Sequence, residues 1–97
     1  MYAAAIRVEL RIRGARSLKE KRRTVKSVIA DLRHRFEVSV AEVDHQDLWQ
    51  RATLGIAVVA PQSGHLDRVI NTIERSIRAR TDVEVLASAV AHLEVPE

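Results

Sequence analysis

The chain contains no cysteine, which excludes disulfides, thiolate metal sites and cysteine nucleophiles. This absence is mildly favourable for a reducing compartment, so we expect a cytoplasmic protein. Long apolar runs are also missing: those at residues 1–6 and 56–60 are far shorter than the roughly 18 residues that predict a membrane span. The residues after Met1 lack the positive start and apolar stretch of a signal peptide. We therefore expect a soluble protein with no membrane partner.

Aromatic residues are scarce, since only Tyr2, Phe36 and Trp49 are present. Hydrophobic residues nevertheless make up 46% of the chain, so the core must be built mainly from Val, Ile, Leu and Ala. A chain of 97 residues is enough for one core and too short for two typical domains. We expect one domain that spans residues 1–97.

Hydrophobic periodicity predicts the order of the structural elements. Apolar and polar residues alternate over residues 6–12, as in a strand with one buried face, and Ser17 and Glu20 have the capping-box spacing of a helix that opens at Leu18. Further strands are predicted near residues 36–43 and 54–58, the former with a bulge where the alternation changes phase at Ala41 and Val43. A second helix is predicted over residues 66–77 and a last strand over residues 83–95.

This βαββαβ order is that of the ferredoxin-like fold. The predicted fold class is thus α+β: a sandwich with an antiparallel four-stranded sheet and two helices on one face. The other sheet face would then be free, and the side chains expected on its third and fourth strands are Thr53, Ala57, Val59, Leu86, Ser88 and Val90. Because these residues are less polar than a fully hydrated face requires, a homodimer through the sheet is one hypothesis for this surface.

Charge is distributed very unevenly along the chain. Residues 7–35 contain eleven Lys and Arg against three acidic residues, whereas the rest of the chain has five basic and ten acidic residues. On a helical wheel one sector of the first helix, which we call the basic sector, contains Lys19, Arg22, Arg23, Lys26 and Arg33. Arg11, Arg13 and Arg16 lead into the start of this helix, where unpaired amides also attract anions.

The basic sector has two interpretations. It can be a solvated helix face whose Lys and Arg stems cover apolar surface. It can also be a docking site for a polyanion, of which the phosphodiester backbone of RNA is the first candidate. The first and third strands lack the outward aromatic residues on which RNA-recognition sheets stack bases, so any RNA binding is expected to be electrostatic or shape-based.

A second group of polar residues is crowded into residues 41–52, AEVDHQDLWQRA. A carboxylate–imidazole–carboxylate cluster of Asp44, His45 and Asp47 could hold a metal or act as general acid and base. The alternatives are that the two aspartates cap turn amides and that Trp49 closes the core or, with Arg51, anchors a partner. Because neighbouring turn residues rarely point to one centre, we predict a partner site here, with no catalytic residue and no metal ligand.

No other segment indicates catalysis. The chain has no glycine-rich phosphate loop, nucleophile elbow or zinc signature, and its other three histidines are isolated. The prediction is a protein that is not an enzyme and needs no cofactor.

Two segments, GARSLKEKRRTVKSVIADLRHRF and VSVAEVDHQDLWQRATLGIAVV, resemble the YlxP-like proteins, a bacterial family of small proteins classed under a domain of unknown function. The resemblance implies a ferredoxin-like fold and a cytoplasmic bacterial protein. It also implies a link to translation, because genes of the family often lie among translation-initiation and ribosome-maturation genes. It implies no activity. The motif positions are Ser17 to Arg22, Glu42, Asp44, His45 and Asp47 to Arg51.

The leading hypothesis from the sequence is a binding module for structured RNA, with ribosomal RNA as the first candidate, that uses the basic sector and the loop before it. The rival hypothesis is a structural or regulatory module that dimerises through its sheet and meets an acidic protein surface.

Overall fold

The computed structural model describes residues 1–96. Its elements are β1 (Tyr2–Ile12), α1 (Leu18–Arg35), β2 (Ser39–Asp44), β3 (Arg51–Ala60), α2 (Ser63–Arg78) and β4 (Val83–Glu94). The four strands form one sheet in the order β2-β3-β1-β4, and every neighbouring pair is antiparallel. The predicted ferredoxin-like architecture is confirmed, with both helices on one face of the sheet. No helix in this range is long and apolar enough to cross a bilayer.

α1 begins where the capping box predicts. Ser17 is the N-cap, and its hydroxyl accepts a hydrogen bond of 3.1 Å from the amide of Glu20. The Glu20 carboxylate accepts a hydrogen bond of 2.6 Å from the amide of Arg16, one residue before the cap. Two amides that the first turn cannot pair internally are thereby satisfied.

The core lies between the helices and the inner sheet face. β1 contributes Ala4, Ile6, Val8, Leu10 and Ile12, which are all buried and alternate with outward residues. Facing them, α1 buries Val25, Val28 and Leu32 at helical spacing. The sequence placed the start of β1 at Ile6, but the strand begins at Tyr2, because an alanine run carries almost no alternation signal.

The sheet contains two irregularities. One is the predicted bulge in β2, which falls between Glu42 and Asp44. The other lies in β4, where the register shifts opposite Glu9 and Leu10. The expectation that Ser88 and Val90 point outward is therefore wrong, since the shift pairs them with the inward residues Val8 and Ile6.

Candidate functional site

The basic sector lies on the side of α1 that faces away from α2. The opposite side of α1 contacts α2 and the α2–β4 loop, because Arg35 donates to the Ser76 hydroxyl and Arg80 donates to the Ser27 hydroxyl. The basic sector therefore follows the β2 edge of the molecule. Arg33 contacts this edge directly, because its guanidinium donates a hydrogen bond of 2.8 Å to the carbonyl of Val40 in β2.

The cationic side chains predicted to bind an anion differ in whether carboxylates of the chain already lie beside them. Arg11 and Arg13 both lie close to the Glu84 carboxylate, at 3.8 and 3.6 Å. By contrast, five exposed side chains of this group have no hydrogen bond or ion pair within residues 1–96. We call these five the unpaired cations: Arg16, Lys19, Arg22, Arg23 and Lys26. These five side chains are available for an external anion.

Lys21 is the member of this segment that the sequence analysis did not single out. Its side chain is fully buried, at 0% exposure, on the inner face of α1. The ammonium nitrogen lies 2.5 Å from Oε2 of Glu42, 2.9 Å from the carbonyl oxygen of His45 and 3.2 Å from that of Gln46. All three ammonium protons therefore have an acceptor, which is what a buried lysine requires.

A signal for this arrangement is present in the sequence. Lys21 precedes Val25 and Val28 by four and seven residues, so it occupies the apolar stripe of α1 at helical spacing. A charged residue in such a stripe indicates a buried partner. The partner Glu42 belongs to the other motif segment, and Lys21 thus joins the two segments that carry the family resemblance.

The β2–β3 loop, residues 45–50, has a special backbone conformation at its start. His45 has a φ of 63°, in the left-handed region that few residues other than glycine adopt. Its amide donates to Oδ1 of Asp44 at 2.8 Å, and its Nδ1 lies 2.9 Å from the hydroxyl of Thr53, which is fully buried. The loop is therefore fixed at one end by His45 and, through its carbonyls, by Lys21.

The remaining part of this loop presents apolar side chains to solvent. Leu48 is 48% exposed and Trp49 is 53% exposed. Their neighbour Gln50 accepts a hydrogen bond from the amide of Ile12, which holds the loop beside the end of β1. Arg51 lies 3.9 Å from Glu9 on the open sheet face. The loop and the start of α1 thus occupy the same end of the domain.

The candidate acid–base cluster does not converge in the structure. Asp44 contacts the amide of His45 and lies 3.8 Å from Arg7, His45 turns its ring toward Thr53, and Asp47 is exposed. Across residues 1–96, the structure brings together no group of three His, Asp or Glu side chains that could hold a metal ion. This end of the domain instead presents the side chains of the unpaired cations to solvent.

A separate ion pair fixes the α2–β4 loop. Arg80 donates hydrogen bonds of 2.9 and 2.8 Å to the two carboxylate oxygens of Asp82. These bonds hold the pKa of Asp82 below its ordinary value and raise the pKa of Arg80. Arg80 also lies 3.7 Å from Asp31, so this loop is tied to the acidic side of α1.

Two solved structures share this fold. The de novo designed protein Foldit4 aligns over 97% of this chain and 99% of its own, with a TM-score of 0.53 and 13% sequence identity. The de novo designed protein LFR1 1, with a ferredoxin fold, aligns over all of this chain and 88% of its own, with a TM-score of 0.50 and 17% identity. These likenesses define the class: a ferredoxin-fold domain.

The sequence relatives define the family. Residues 3–90 match the family described as "Protein of unknown function (DUF503)", and the chain belongs to that family. It is also 33% identical over 73 residues to the uncharacterized protein YlxP of Bacillus subtilis (strain 168). That alignment covers 75% of this chain and 79% of YlxP.

Proposed function

We propose that this protein is a non-enzymatic module that binds structured RNA, with ribosomal RNA as the first candidate, through the unpaired cations of α1 and of the loop before it. The observation that supports the proposal most strongly is that five cationic side chains are exposed and have no hydrogen-bond or ion-pair partner in residues 1–96: Arg16, Lys19, Arg22, Arg23 and Lys26. Clustered cations without internal partners attract polyanions, because their binding releases the counterions condensed on the phosphates.

The spacing of these cations suits a phosphodiester backbone. Lys19 to Lys26 covers two turns of α1, or about 10 Å along its axis. Several adjacent phosphates can be contacted over that distance, and the sector is uninterrupted by acidic residues, since Glu20 and Asp31 lie on other sides of the helix. Phosphate contacts of this kind position a protein on RNA without reading its sequence.

The β2–β3 loop supplies a second contact beside the first. Lys21 holds the carbonyls of His45 and Gln46 against the first turn of α1, so the loop adjoins the unpaired cations. Trp49, at 53% exposure, is positioned to pack on a sugar, a base or a protein side chain of the bound particle. Double-stranded RNA is recognised mainly by its shape and by contacts to phosphates and 2′-hydroxyls, which a loop beside a charged helix can supply.

The experiment that tests this proposal uses matched charge variants. The basic variant is R22Q/R23Q/K26Q, and the control is R68Q/R75Q/R78Q, which removes three exposed arginines from α2. Glutamine is chosen because it retains helix propensity. Binding to a fluorescent RNA hairpin is measured by anisotropy, and folding is checked by thermal unfolding.

We expect the basic variant to lose at least about tenfold in affinity while the control binds as the original chain does. Equal losses in the two variants would show that total charge, not the α1 surface, determines binding. A chain that binds no RNA hairpin even at low salt would contradict the proposal.

An acidic protein surface is the other partner that this charge distribution fits. Affinity capture from a bacterial lysate, with and without ribonuclease, distinguishes an RNA partner from an acidic protein partner. RNA-dependent recovery of ribosomal components supports RNA binding, and recovery of one acidic protein after complete RNA digestion contradicts it.

A further inference from the structure

The sheet face opposite the helices is apolar, shallow and uncovered in the monomer. Small residues line its centre, where a groove of about 510 Å³ runs over Ala5, Ala41, Gly55, Ala57 and Ala89. Larger apolar side chains stand around this centre and are well exposed: Val43 at 49%, Val59 at 64% and Leu93 at 61%. A contiguous apolar surface of this kind on a small domain indicates an interface.

The charges at the other end of this face are mixed and mutually paired. Arg7 lies 3.5 Å from Glu9 and 3.8 Å from Asp44, and Arg51 lies 3.9 Å from Glu9. Arg11 lies 3.8 Å from Glu84 in the neighbouring strand. With Arg13, which lies 3.6 Å from Glu84, four arginines and three carboxylates give this end of the face a net charge of only +1. The carboxylates between the arginines limit the repulsion between two copies of this face.

The area of the face is sufficient for a dimer. Four strands spaced at about 4.8 Å and running for about 35 Å give a footprint of roughly 650 Å². Two copies would bury roughly 1,300 Å² together, which is within the range of specific protein interfaces. The alanine-rich centre also permits close approach, because it leaves no large side chain between the two sheets.

We propose that two copies of this chain pair through the open sheet face, with a two-fold axis that runs parallel to the strands between β1 and β3. This orientation places the apolar end of each sheet on the apolar end of the other, and the mixed-charge ends likewise meet. The axis exchanges β1 with β3 and β2 with β4, so all four strands overlap and Val59 faces Ala3 of the other copy. Leu93 lies beside Ala3 at the same level of the sheet.

This pairing is independent of the RNA proposal. α1 lies on the opposite side of the sheet, so the dimer leaves the unpaired cations of both copies on the outside. Failure of RNA binding would not affect the dimer, and a monomeric protein could still bind RNA.

The test is the molar mass in solution, measured by size-exclusion chromatography with light scattering at about 100 μM and lower. We expect twice the chain mass of 10.9 kDa for the original chain. The variant Ala57→Arg places a charge at the centre of the face and should give the monomer mass. The control Asn71→Arg adds the same charge to the exposed side of α2 and should remain dimeric.

A second variant tests the same surface in case Ala57→Arg does not fold. V59S/L93S removes apolar surface without adding charge, and its dimer should dissociate at a concentration at least about tenfold higher. A monomeric original chain would overturn the proposal. So would an Ala57→Arg variant that remains dimeric, since the copies would then meet through another surface.

Discussion

The ammonium nitrogen of Lys21 lies 2.5 Å from Oε2 of Glu42, and this buried ion pair joins the first turns of α1 to the bulge of β2. Glu42 lies two residues after the buried Val40 and therefore points to the helices, and the bulge that follows it places Asp44 opposite Thr53. The two carbonyls of the following loop complete the coordination of the ammonium. The position of the β2–β3 loop beside the unpaired cations therefore depends on Lys21.

Removing the Lys21 ammonium is expected to destabilise the fold strongly. Lys21→Met retains the apolar stem but leaves a largely buried carboxylate and two carbonyls without their donor. We expect the free energy of unfolding to fall by about 3–5 kcal/mol, measured by urea denaturation. The control Lys19→Met changes an exposed, unpaired neighbour and should stay within about 0.5 kcal/mol.

The double variant K21M/E42M shows whether the loss arises from the unpaired carboxylate. Replacing both members of a buried ion pair by apolar residues is often nearly neutral, so it should recover most of the stability. If Lys21→Met alone were as stable as the original chain, the structural role of the pair would be refuted.

The left-handed conformation of His45 leads to a second prediction. Both His45→Gly and His45→Ala lose the contact between Nδ1 and the Thr53 hydroxyl, but only alanine meets a steric penalty at a φ of 63°. His45→Ala should therefore be less stable than His45→Gly by about 1 kcal/mol in thermal or urea unfolding. Equal stabilities would show that the loop adopts another conformation in solution.

A third prediction concerns acid stability. The pKa of Asp82 is lowered in the folded protein by the hydrogen bonds from Arg80, so this pair stabilises the fold above the ordinary carboxyl pKa. The contribution is lost as the pH falls through the lowered pKa. As the pH falls from 6 through the lowered pKa of Asp82, the free energy of unfolding of the original chain should decrease more than that of Asp82→Asn. Parallel pH profiles for the two proteins would contradict this assignment.

Much of the fold could be predicted from local patterns. The Ser17 and Glu20 capping box located the start of α1 at the residue where the helix begins, and the phase change near Val43 indicated the β2 bulge. The bulge in β4 was missed because alternating Ala and aliphatic residues fit either register. Only pairing with β1 selects the register in which Ser88 and Val90 turn inward.

Less of the candidate site than of the fold could be predicted from the sequence. A helical wheel grouped the cations of α1 correctly on one sector, but it could not show that Glu84 lies beside Arg11 and Arg13 or that Arg33 donates to Val40. These contacts join residues far apart in the chain. The position of Lys21 in the apolar stripe indicated a buried partner, but the sequence could not show that this partner is Glu42, which lies 21 residues further along the chain.

The salt dependence of RNA affinity tests the central claim most directly, since each phosphate contact adds a known increment to the slope. For five engaged cations, the logarithm of affinity for an RNA hairpin should fall against the logarithm of salt concentration with a slope of about −4. For R22Q/R23Q/K26Q the slope should be about two units shallower, while R68Q/R75Q/R78Q should match the original chain. A slope near zero for the original chain, or no difference between the two triple variants, would contradict the claim that the unpaired cations of α1 bind RNA.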